Sequence, residues 1–215
     1  MSRPTKRILI ADDHNIVRRG LRMLLETVPF LEVVAETENG REALEAARET
    51  KPDIAIVDYS MPDLNGLDLT IELRKLLPAI EVMMYTMHDN EDAVIDAFQA
   101  GVRAYVLKSD SERSVLAAID AISMHRTYFS GTICEALLTD FLRNKSVKRP
   151  NALTHREREV VQLVAEGKLN KQVSHILNIS IKTVETHRAS AMQKLNCSTS
   201  AELVRYAVRN RMVQP

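Results

Sequence analysis

Three carboxylates, a hydroxyl and an amine stand out by where they fall in the chain. Asp12 and Asp13 follow the apolar run RILIA, Asp58 follows IAIV, Thr86 follows EVMMY, and Lys108 follows RAYVL. In each case a short, strand-like segment delivers a polar group at its own end. Carboxylates gathered at one place repel one another, and a hard divalent cation with oxygen ligands, Mg²⁺ above all, relieves that repulsion. A carboxylate nucleophile, a metal, a lysine and a hydroxyl together make what phosphoryl transfer requires: an attacking oxygen and fixed positive charge for the equatorial oxygens. Asp12 also suits the cap of a following helix.

Such a site needs these segments side by side and parallel, with their carboxyl ends along one edge. The chain has the matching pattern. Apolar runs alternate with amphipathic segments: RILIA then 15–27, EVVAE then 40–49, IAIV then 66–77, EVMMY then 90–100, and RAYVL then 111–124. Apolar on successive residues, IAIV reads as a strand buried on both faces. Five such βα units predict an α/β fold: a five-stranded, doubly wound parallel sheet with right-handed crossovers. Its ligands bind at the carboxyl edge. Pro78 and Gly101 read as helix stops, Met83, Met84 and Met87 as core, and His14 and His88 as loop residues rather than ligands.

With 45% hydrophobic and 27% charged residues in 215, the composition is that of an ordinary globular protein. No apolar run approaches the roughly 20 residues of a membrane span, and MSRPTKRILI lacks a signal-peptide core, so a cytoplasmic address without membrane partners is expected. Cys134 and Cys197 lie far apart with no CxxC and read as packing residues. Neither GxxxxGK[ST] nor GxGxxG occurs, which sets nucleotide binding aside. The formal net charge of zero conceals two unlike halves. Residues 1–145 carry 17 Lys and Arg against 24 Asp and Glu, and residues 146–215 carry 12 against 5. An acidic half suits a metal or a basic partner, and a basic half suits nucleic acid.

Residues 126–150 form the boundary: HRTYFSG, the amphipathic piece TICEALLTDFLRN, and the polar KSVKRPN. The expected organisation is therefore a domain over 1–125, a linker with a short helix over 126–150, and a small all-α four-helix domain over 151–215. Thr154 with Glu157 fits a capping box, Gly167 stops the first of these helices, and Asn170 and Ser180 can cap the next two. LNIS reads as the tight turn of a helix-turn-helix. In the third helix Val184, Ala191 and Leu195 face the core. That leaves Lys182, Thr183, Glu185, Thr186, Arg188 and Ala189 outward, near the start, where recognition residues enter a major groove.

ADDHN, IVDYSMPDLNG, MMYTMHD and YVLKSD, in this order, resemble the flavodoxin-like receiver domain of two-component response regulators. Residues 153–196 resemble the LuxR-type helix-turn-helix of the NarL/FixJ members. For the receiver, the resemblance implies that Asp58 accepts phosphate from a histidine kinase. Asp13, Asp58 and the Ser60 backbone carbonyl would hold Mg²⁺, with Asp12 supporting the metal shell. Lys108 would pair with the phosphoryl group, Thr86 would donate its hydroxyl to it, and Tyr105 would reorient when Thr86 moves.

For the reader, the resemblance implies contacts with double-stranded promoter DNA from the helix starts at Asn170 and Lys171, from His187, and from Lys182, Thr183, Thr186 and Arg188. Glu185 and Lys194 complete the surface. Glu185 stands where some members carry lysine, and it could accept from cytosine or exclude phosphate. Dimerisation of the active form falls to the last helix, 199–212, and RNA polymerase is a further candidate partner. The expected function is phosphorylation-controlled regulation of transcription by a protein that catalyses only its own phosphoryl transfer and dephosphorylation. One rival is a haloacid-dehalogenase-like phosphatase, which needs a second aspartate where Ser60 stands. Another is a receiver acting through protein contacts alone, against which the basic half argues.

Overall fold

A computed structural model describes residues 4–89, 91–131, 133, 153–210 and 212–213. The chain divides into two compact units, Met1–Lys145 and Ser146–Pro215, at the point where the formal charge changes sign.

The first unit alternates strands and helices: β1 (Lys6–Ala11), α1 (Asn15–Glu26), β2 (Leu31–Thr37), α2 (Gly40–Thr50), β3 (Ile54–Val57), α3 (Gly66–Leu76), β4 (Glu81–Thr86), α4 (Glu91–Ala100), β5 (Ala104–Leu107), α5 (Glu112–Ser123) and β6 (Tyr128–Phe129). The strands form one parallel sheet in the order β2-β1-β3-β4-β5-β6. Six strands replace the five expected, and the addition lies in the segment read as the start of the linker. Two residues carry no periodic signal. The strand arises because His125, with φ 57, turns the chain after α5 and lays Tyr128 and Phe129 beside Ala104 and Tyr105.

Burial on both faces explains the continuous apolar runs. Ile8, Ile10, Ile54, Ile56, Met83 and Val106 pack with Leu21, Leu25, Val115, Ile119 and Ile122 of α1 and α5. Their neighbours Leu9, Ala55, Val57, Val82, Met84 and Tyr105 pack with Ala43, Ala47, Leu67, Leu73, Val94 and Ala97 of α2, α3 and α4. Each fully buried aliphatic side chain contributes about 1.5–3 kcal/mol, so the central strands are rigid mounts for whatever their ends carry. Met87, read as core, is instead exposed.

The second unit holds α6 (His155–Ala165), α7 (Asn170–Leu177), α8 (Ile181–Lys194) and α9 (Ser200–Arg209). Thr154 and Glu157 form the expected capping box, and Ser180 caps α8 by accepting from Thr183 N–H. For α7 the cap position is Leu169, one residue before the expected Asn170, and the Gln172 side chain takes the Leu169 N–H at 2.8 Å. Val160, Leu163, Val173, Leu177 and Val184 join α6, α7 and α8. Val161, Ala191, Leu203 and Ala207 join α6, α8 and α9. Of the cysteines, Cys197 is half-buried and Cys134 lies outside the described residues, as does most of TICEALLTDFLRN. Among the described residues no helix is long and apolar enough to cross a membrane.

Candidate functional site

Register brings the first carboxylates together. Ala11 of β1 lies opposite Val57 of β3, so the next residues, Asp12 and Asp58, emerge side by side, and Asp58 N–H donates to the Ala11 carbonyl at 2.8 Å. From the end of β5, Lys108 reaches both: its Nζ lies 2.7 Å from Asp12 Oδ2 and 2.8 Å from Asp58 Oδ2. All three side chains are nearly buried. Burial pushes the Asp12 carboxyl up, and the charge of Asp58 adds to that effect against the opposing pull of Lys108. For Lys108 burial disfavours the ammonium, but Asp58 and Asp12 outweigh it and raise its pKa. The amine therefore stays charged and becomes the positive centre of the edge.

Beside this pair, His14 Nδ1 lies 2.7 Å from Asp13 Oδ1, and His14 N–H donates to Asp12 Oδ1 at 2.9 Å. Ligand atoms of Asp12, Asp13, His14 and Asp58 all lie within 4.8 Å of one another. Three carboxylates at one point are the oxygen donors a Mg²⁺ ion selects, so the donor set fits that metal. His14, read as a plain loop residue, belongs to this group. Asp12 does not cap α1, whose cap position is His14.

Gly66 sets how closely α3 approaches. Its N–H donates to the Tyr59 carbonyl at 2.9 Å, and a Cβ placed there would stand 2.1 Å from the Asp58 carbonyl oxygen. Only the absence of a side chain lets α3 begin directly beneath Asp58.

Thr86 and Tyr105 are both fully buried, on neighbouring strands. Between them lies His88, 5% exposed, although its position suggested a loop residue. Thr86 Oγ1 is 2.9 Å from His88 Nδ1, Ser60 Oγ is 3.4 Å from Nε2, and the ring stacks on Tyr59 with centroids 4.4 Å apart. Tyr105 Oη donates to the His88 carbonyl at 2.9 Å, and burial pushes its phenol far up, so it remains a donor. No sequence signal marked His88 for burial. β4 is buried on both faces, and beyond its end the apolar Met87 is exposed while the polar His88 turns inward.

In the second unit, Lys182, Glu185, Thr186 and Ala189 of α8 are exposed, and Thr183, His187 and Arg188 are half-buried. Thr186 donates back to the Lys182 carbonyl at 2.9 Å. Asn170 and Lys171 begin α7. The Arg188 guanidinium donates to Asn170 Oδ1 at 3.2 Å and to Ser200 Oγ, tying the starts of α7 and α9 to the middle of α8. Lys194 stands apart from the recognition cluster, with its Nζ 2.6 Å from Glu157 Oε2. Although burial disfavours the Glu157 charge, the hydrogen bonds from Lys194, Ser190 and the Thr154 backbone hold its pKa down to about 2.

Residues 8–120 match the response regulator receiver domain, and residues 151–207 match the bacterial regulatory proteins of the luxR family. The chain belongs to the response regulators with a LuxR-type DNA-binding domain. This response regulator is 34% identical over 211 residues to the transcriptional regulatory protein MctR of Rhizobium johnstonii, covering 98% of this chain and 97% of that protein. It is equally similar to the response regulator VraR of Staphylococcus saprophyticus, over 97% and 99% of the two chains. Among solved structures, RcsB of Salmonella typhimurium superposes with a TM-score of 0.69 at 26% identity, over 95% of this chain and 97% of that one. A second RcsB structure, bound to promoter rprA with the phosphomimetic BeF3⁻, gives 0.68 at 27% identity, over 94% and 98%. The response regulator's homologues are transcriptional regulators, so the phosphatase rival falls away as a metabolic enzyme.

Proposed function

We propose that this response regulator takes a phosphoryl group from a histidine kinase onto Asp58, and that the modification controls homodimerisation and binding to double-stranded promoter DNA. The observation that supports this reading most directly is one ammonium group shared between Asp58 and Asp12 at the edge of a rigid parallel sheet. An Asp58 oxygen attacks phosphorus, the bond to the donor's imidazole nitrogen breaks, and the imidazole leaves. Lys108 exchanges its contact with the carboxylate for one with the equatorial oxygens. Asp12, Asp13, Asp58 and the Ser60 carbonyl would hold Mg²⁺, which when bound offsets the negative charge gathered at the transferring group. Thr86 donates its hydroxyl to the phosphoryl group and thereby reports it to the fold, with Tyr105 following.

In the reader, Lys171, Lys182, His187 and the starts of α7 and α8 serve DNA phosphates, where helix N-termini favour anions. Thr183, Glu185, Thr186 and Arg188 serve base edges. The setting is the cytoplasm, and RNA polymerase is the remaining partner. The test is labelling in Mg²⁺ with a small phosphodonor: one acid-stable, base-labile acyl phosphate is expected, and Asp58→Asn should prevent it. Labelling of the Asp58→Asn protein at the wild-type rate would overturn the assignment.

A further inference from the structure

Four polar contacts converge on His88, a residue that the chemistry at Asp58 does not itself use. Thr86 Oγ1 lies 2.9 Å from Nδ1, and His88 N–H donates back to that oxygen at 3.3 Å. Ser60 Oγ lies 3.4 Å from Nε2, and Tyr105 Oη donates to the His88 carbonyl at 2.9 Å. A hydroxyl carries one hydrogen and can also accept. Thr86 can accept from the His88 N–H and give its own hydrogen to Nδ1, an arrangement that puts the ring proton on Nε2, facing Ser60 Oγ. The neutral tautomer protonated on Nε2 is compatible with these four contacts, and the direction from Thr86 to the ring belongs to the proposal.

We propose that His88 is the latch of the unphosphorylated receiver: a positioning residue whose ring holds the single hydrogen of Thr86 and whose carbonyl holds the phenol of Tyr105. The inference rests on the reading of Asp58 as phosphoacceptor and Thr86 as its reporter. The same hydrogen cannot serve both the imidazole and a phosphoryl oxygen. A ligand shifts a two-state equilibrium only through contacts that differ between the states, and the Thr86–His88 bond belongs to one state alone. Its strength therefore subtracts from the affinity for a phosphoryl group at Asp58. Because Tyr105 is tied to the backbone of the same residue, releasing the ring loosens both buried side chains together.

The experiment uses the full-length protein with beryllofluoride and Mg²⁺ as a phosphoryl mimic. Affinity is read by ¹⁹F NMR titration and self-association by sedimentation. His88→Phe keeps a ring to stack on Tyr59 but has neither nitrogen, whereas His88→Asn keeps an acceptor near the place of Nδ1. Loss of one net hydrogen bond from the unliganded state alone should tighten mimic binding about five-fold in His88→Phe and raise unliganded self-association. His88→Asn should stay within about two-fold of wild type, and in a Thr86→Ala background His88→Phe should change nothing further. Mimic binding by His88→Phe no tighter than wild type, or an equal gain when Thr86 is already alanine, overturns the latch. Failure of the wild type to bind the mimic, or undiminished binding by Asp58→Asn, overturns the Asp58 reading and the latch with it.

Discussion

The ammonium group of Lys108, at the end of β5, lies 2.8 Å from the carboxylate of Asp58, at the end of β3. A cation already occupies the ground that a metal and a phosphoryl group would share. Lys108→Met should therefore leave Asp12, Asp13 and Asp58 more strongly repelling and tighten Mg²⁺ binding by roughly five-fold or more after screening. The same change should slow phosphorylation by a small donor about tenfold or more, since the equatorial oxygens lose their counter-charge. Calorimetric Mg²⁺ titration and labelling rates check the two halves separately; unchanged metal affinity would remove Lys108 from the field at the site.

Gly66 and Gly20 form a controlled pair. A Cβ at Gly66 meets the Asp58 carbonyl at 2.1 Å, whereas one at Gly20, on α1, meets nothing within 4 Å. Gly66→Ala should cost about 1–3 kcal/mol through forced backbone movement and slow phosphorylation of Asp58. By contrast Gly20→Ala should be neutral or stabilise by up to about 1 kcal/mol, as alanine replaces glycine inside a helix. Urea unfolding followed by circular dichroism distinguishes them, and equal stability of the two variants would count against the close approach.

The face proposed to meet DNA holds both contact and scaffold residues. Lys182 is exposed on the first turn of α8, so Lys182→Ala should weaken all DNA sequences alike and make the salt dependence shallower by about one unit. Arg188 braces Asn170 and Ser200 within its own unit. Arg188→Ala should accordingly lose about 1 kcal/mol of stability as well as DNA affinity. Binding titrations over several salt concentrations, paired with thermal melts, test both; loss of affinity with an unchanged melt would return Arg188 to base reading alone.

Acid should weaken the second unit through Glu157. Its carboxyl has an ordinary value of 4.5 and is held at about 2 when folded. The stabilisation is thus fully present above pH 4.5 and lost as pH falls towards 2, on the order of 3 kcal/mol at most. Glu157→Gln should flatten this acid limb, and Lys194→Met, which removes the amine 2.6 Å away, should shorten it. Far-UV melts between pH 2 and 5 provide the check; an unchanged acid limb in Glu157→Gln would rule the ion pair out as its source.

The sequence by itself determined five of the six strands, most helix ends and the carboxylate edge. Those features are written locally, in short continuous apolar runs, in period-3.6 apolar patterns and in capping residues such as Thr154 and Ser180, and the parallel βα alternation forces strand ends onto one side. Asp12, Asp58, Thr86 and Lys108 were legible because each directly ends a run whose burial is strong. Tertiary structure alone decided which partners those groups take. Lys108 sits 50 residues from Asp58, His88 28 residues from Ser60, and Arg188 18 residues from Asn170. No local pattern encodes such pairs. The two-residue β6, the burial of His88 and the diversion of Lys194 to Glu157 all follow from where packed elements come to rest. A side chain in a close-packed interior takes the hydrogen-bond partner its neighbours leave within reach.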